Sequence, residues 1–65
     1  MELKIARILL GLTQQHLGKL SGVHQVIISN IERGYQQPTK EHIKKISEAL
    51  NKEPHEIDWR ADDEE

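Results

Sequence analysis

Apolar residues recur along this chain at helical intervals, and glycines and prolines cut them into short runs. Leu3, Ala6 and Leu10 share one face of a first helix predicted over residues 2–10. Gly11 ends that helix as a left-handed cap, and Leu12 packs back against the core. Residues 13–34 then read as two short helices joined by a tight turn. Leu17 and Leu20 lie on one face of the first of them, and Ile28 and Ile31 repeat the spacing in the second. Between them stands Ser21-Gly22-Val23. Gly22 takes positive φ at little cost, and Val23 drops into the angle between the helices. Thr13 caps the earlier helix, whose first residue is Gln14; His24 caps the later one, predicted over residues 25–32.

Past Gly34, a second left-handed cap, a loop leads to Pro38. A fourth helix opens at Thr39 and runs to about Leu50, with Ile43, Ile46, Ala49 and Leu50 on one face. Asn51 closes it. Glu53-Pro54 then marks the cap and first turn of a short fifth helix over residues 54–58, anchored by Ile57 and Trp59. Trp59 either closes the bottom of the core or makes a dimer contact. Ile5, Ile8 and Leu9 exceed a single stripe; they make the first helix broadly amphipathic or form a patch for a partner.

Sixty-five residues make one small domain, with no cysteine to staple it. Such a chain buries only about 60% of the surface it exposes when unfolded, so its stability is modest. The first ten residues are apolar but contain Glu2, Lys4 and Arg7, unlike the uncharged centre of a signal peptide, and no apolar run is long enough for a membrane span. The expected location is therefore cytoplasmic. The net charge of −2 argues superficially against nucleic acid. Four of the eleven acids, however, are Asp62, Asp63, Glu64 and Glu65, and without them nine bases face seven acids, a balance of +2. The expected organisation is one domain over residues 1–60 and a disordered acidic tail over 61–65, or a link to a further domain.

Gly11-Leu12-Thr13-Gln14, Leu17, Gly22-Val23, Ile28-Ser29, Ile31-Glu32-Arg33-Gly34, Pro38-Thr39, Ile43, Ile46 and Ala49-Leu50 hold their mutual spacing together. In this the chain resembles the phage-repressor and Cro-like helix-turn-helix family, also called the XRE type. The resemblance implies an all-α fold, a compact five-helix bundle of the lambda-repressor-like kind. It implies a sequence-specific DNA-binding transcriptional regulator, expected to repress, with the helix over residues 25–32 in the major groove.

On that reading Gln25 presents a donor and an acceptor to adenine, and Val26 packs on a thymine methyl. Ser29 and Asn30 serve a base, or a phosphate. The family's use of the matching glutamine assigns Gln14 to a phosphate at a helix N-terminus. Its use of the loop assigns Arg33, Tyr35 and Gln36 to phosphates, although Tyr35 stands where a cation is common and brings no charge. Lys40, in the first turn of the fourth helix, is a further phosphate candidate. The resemblance also pairs Arg7 with Glu32 as a structural ion pair, an arginine fork on a carboxylate. Gly18 replaces the usual alanine, and His24 the usual serine or threonine; Ile27, where the family often has a polar or aromatic residue, is either half-buried or set against the sugar-phosphate wall.

A lone module binds weakly, so a homodimer on two-fold double-stranded DNA is expected, with half-sites about 34 Å apart; the short fifth helix with Trp59 is the first expected dimer surface and the Ile5/Ile8 face the second. The alternative is a protein-interaction module, or an antitoxin-type regulator that binds both DNA and a protein. His16, His24, His42 and His55 lie at none of the helical spacings that chelate zinc, and no phosphate loop or nucleophile motif is present. Neither a metal, nor a cofactor, nor an enzymatic activity is expected.

Overall fold

The computed structural model describes residues 1–59. They form α1 (Leu3–Leu9), α2 (Gln14–Ser21), α3 (Gln25–Arg33) and α4 (Lys40–Ala49), followed by one turn of 3₁₀ helix, Pro54–Glu56. Over the described residues the fold is all-helical, with four α-helices and a 3₁₀ turn in place of the expected fifth helix. Pro54 and the reciprocal bonds between Glu53 and Glu56 start a turn, but Ile57 is already extended, and Asp58 pairs with Glu2 in an isolated parallel bridge. Asp58 N donates to Met1 O at 2.7 Å, and this bond takes the backbone out of the helix. The acidic tail expected over residues 61–65 lies outside the described residues.

Leu3, Ala6, Leu17, Val23, Ile28, Ile31, Ile46, Leu50 and Ile57 make the core, with Leu12, Ile27, Ala49 and Trp59 packed partly buried against it. The Trp59 indole N–H donates to Pro54 O at 3.0 Å, so the ring tethers the last turn. α2 packs against both α3 and α4. Gly18 makes the first of these contacts close: a Cβ there would lie 3.0 Å from Val23 O and 3.3 Å from Gln25 N.

Three helices end alike. Leu12 N bonds Arg7 O and Gly11 N bonds Ile8 O; Tyr35 N bonds Asn30 O and Gly34 N bonds Ile31 O; Lys52 N bonds Ser47 O and Asn51 N bonds Glu48 O. Each is the paired reversal in which a left-handed residue turns the chain back over the final turn. Asn51, at φ 57°, fills the position that Gly11 and Gly34 fill elsewhere. α2 ends differently, with a single bond from Gly22 N to Gly18 O, while Val23 N finds the Ser21 hydroxyl at 3.2 Å.

Two apolar positions depart from the pattern. Leu20 is 63% exposed, and Ser21 takes the buried place beside Leu17. Steps of three and four residues diverge by about 100° around a helix, and the packed neighbours of α2 lie on the four-residue side. Leu10 is exposed because α1 stops at Leu9 and the chain reverses at Gly11; Leu12, carried back by the reversal, covers the core instead.

Candidate nucleic-acid interface

The leading ends of α2 and α3 lie side by side. Thr13 caps α2 by accepting from His16 N at 3.0 Å, which sets Gln14 as the first helical residue. At α3 the cap is an imidazole: His24 Nδ1 accepts from Val26 N at 3.0 Å. Accepting there requires the ring to carry its proton on Nε2. Gln14 and Gln25 then line one open groove, together with Arg7, Thr13 and Gln15. A second groove, between α2 and the turn, is lined by Gln15, Lys19, His24 and Gln25.

Beneath the first groove lies a network with Glu32 at its centre. Arg7 Nε donates to Glu32 Oε2 at 2.8 Å, and a second guanidinium nitrogen donates to Oε1 at 3.2 Å. The third reaches Leu12 O at 2.7 Å. The Gln14 amide also donates to Glu32 Oε1, at 3.0 Å. The side chains of Arg7 and Glu32 are only 10% and 4% exposed, so the pair joins α1 to the end of α3 away from water. Gln14 thus reaches the groove with its amide already held by Glu32.

The residues named for base contact are not equally presented. Gln25 and Val26 are exposed, Val26 by 54%, whereas Ser29 and Asn30 are half-buried. Asn30 Nδ2 donates to Gln36 Oε1 at 3.3 Å. Arg33 and Tyr35 are exposed, with the guanidinium 5.8 Å from the ring centroid, a cation–π contact. Lys40 is exposed at the first turn of α4, which Thr39 and His42 cap reciprocally.

Gln15 borders both grooves and Lys19 the second, and neither was singled out from the sequence. Their spacing of four residues on α2, immediately after Gln14, is the signal that places them there. Among the described residues no three His, Cys, Asp or Glu side chains gather in a group able to hold a metal ion, and no helix is long and apolar enough to cross a membrane.

A family model described as helix-turn-helix matches residues 3–57. No curated protein and no solved structure matches the chain.

Proposed function

The chain belongs to the helix-turn-helix family of the phage-repressor and Cro-like type, and on that premise we propose that it is a sequence-specific transcriptional repressor that lays α3 in the major groove of double-stranded DNA. The family itself suggests a DNA-binding transcription regulator. The observation that carries the finer reading is the shared groove: Gln14 and Gln25 each open a capped helix, and both line it. One helix start facing a phosphate would set the register of the other on the bases. Gln25 and Val26 read base edges, with Ser29 further along the helix; Gln14, Arg33, Tyr35, Gln36 and Lys40 hold the backbone.

A homodimer on a two-fold operator completes the reading. Ile5 and Ile8 are 49% and 53% exposed, while Trp59 is half-buried with its N–H already engaged. These observations favour the α1 face over the Trp59 end as the surface for a second copy or another protein.

Selection of bound duplexes from a random pool tests the proposal. The expected result is a two-fold consensus. Gln25→Ala then relaxes preference at one position of it, by about 1–3 kcal/mol. Lys40→Ala weakens all sequences alike and makes the salt slope shallower by about one. A pool with no enriched sequence would rule out sequence-specific binding.

A further inference from the structure

Asn30 and Gln36 stand six residues apart, yet their side-chain amides meet at 3.3 Å, with Asn30 Nδ2 donating to Gln36 Oε1. The reversal after α3 brings them together. Gly34, at φ 80°, lets Tyr35 N return to Asn30 O at 2.8 Å and Gly34 N to Ile31 O at 3.1 Å, so the chain at Gln36 lies back over the last turn. Asn30 therefore holds this loop twice, by its backbone carbonyl and by its side chain. It is also half-buried, whereas Val26, one turn nearer the leading end of α3, is exposed.

A glutamine amide facing a phosphate has one right orientation. The NH₂ donates to the anionic oxygens, and the carbonyl oxygen repels them. Left to itself, the terminal amide turns between the two. A donor on the protein side selects one, because it engages Oε1 and directs both Nε2 hydrogens the other way. Asn30 is such a donor.

We propose that Asn30 is a positioning residue that orients the Gln36 amide toward a DNA phosphate, and that it does not read a base. The proposal rests on the DNA-binding reading of the loop and replaces the base-contact role expected for Asn30 from the sequence.

The test measures affinity of the full chain for the selected operator and for each single-base variant of it, at fixed salt, with thermal melts to follow folding. Asn30→Ala is expected to lower affinity about five-fold on every duplex alike, the factor of one net neutral hydrogen bond. Asn30→Ala with Gln36→Ala should be no weaker than Gln36→Ala alone. Asn30→Asp can only accept, so Gln36 must donate to it and turn Oε1 to the phosphate. Its loss should exceed that of Asn30→Ala, and the excess should shrink in the Gln36→Ala background, where only the added charge acts. Relaxed preference at one base pair in Asn30→Ala, or losses that multiply in the double variant, would overturn the proposal. The pairing is also read without DNA: Asn30→Ala should shift the Gln36 side-chain NH₂ resonances, and unchanged resonances would overturn it. No binding of any duplex by the unaltered protein, with those resonances shifted, would refute the DNA reading and the phosphate role with it.

Discussion

Replacing Glu32 with alanine should nearly unfold this domain. The carboxylate is 4% exposed and takes two bonds from Arg7 and one from Gln14. Without it the guanidinium, itself only 10% exposed, keeps Leu12 O as its one remaining partner among the described residues. Stranding one member of a buried pair costs about 3–5 kcal/mol, far more than loss of an exposed pair. A chain of 65 residues has roughly 3–10 kcal/mol in all. The midpoint of thermal unfolding should therefore fall by about 12–40 °C. Urea titration followed by circular dichroism, across a double-mutant cycle with Arg7→Ala, measures the cost. The double variant should lose less than the two single losses combined, because neither charge is left stranded. A loss below about 1 kcal/mol for Glu32→Ala would show the pair to be effectively solvated and refute the burial argument.

The same site separates stability from presentation. Arg7→Met with Glu32→Leu replaces the pair by apolar groups of similar bulk, a change that is often neutral or stabilising. The fold should survive it. Gln14, however, loses the acceptor that turns its NH₂ inward, so that NH₂ can face a phosphate and DNA affinity should hold or rise while the unfolding midpoint stays within a few degrees; a fall in affinity would refute the orientation argument.

Ser47 is 1% exposed and its hydroxyl has no hydrogen-bond partner among the described residues, so Ser47→Ala should stabilise by about 1 kcal/mol, read from urea midpoints; destabilisation would mean that the hydroxyl is bonded. His24→Ala should cost about 1 kcal/mol through loss of the α3 cap, whereas His24→Ser should cost almost nothing; equal losses would deny the cap its role. The Glu56 carboxyl is held below its ordinary value of 4.5, first by the Glu53 backbone N–H, which outweighs desolvation, with Lys52, His55 and the N-terminal ammonium lowering it further. A lowered value in the folded state means that its contribution is present above the ordinary carboxylate range and is lost as pH falls through the folded value. Acid unfolding should thus be shallower in Glu56→Gln, and an NMR titration of Glu56 at its ordinary value would contradict this.

Much of the fold is legible in the sequence because its signals are local. Thr13 and Thr39 announce helix starts, and Gly11, Gly22 and Gly34 announce reversals at φ 71°, 77° and 80°. These signals act within five residues and need no knowledge of what packs where. Leu20 and Leu10 escape the pattern for the opposite reason. Spacing defines a face about 100° wide, and only the position of neighbouring helices decides which edge of it is covered. The fifth helix fails because its competitor, the bond from Asp58 N to Met1 O, joins opposite ends of the described chain.

The candidate interface is harder to read because residue type tells what an amide can do but not what already occupies it. Gln14, Gln25, Asn30 and Gln36 look alike in the sequence, as polar residues on or beside a helix-turn-helix. In the structure Gln14 donates to Glu32, eighteen residues away, and Asn30 donates to Gln36 across a reversal. Gln25 is exposed, with no hydrogen bond to another described side chain. A partner fixes which end an amide offers: Asn30, a donor, leaves the Gln36 NH₂ for a phosphate, whereas Glu32, an acceptor, takes the Gln14 NH₂ and leaves a phosphate there to the N–H groups of the helix start. An amide that keeps both its donor and its acceptor can match a base edge. On the proposed reading the pairing pattern sorts these four residues: Gln25 toward bases, Gln36 toward the backbone through its side chain, Gln14 toward the backbone through its helix start, and Asn30 toward Gln36 itself. Measured base preference should follow that division and not the order of residues along α3.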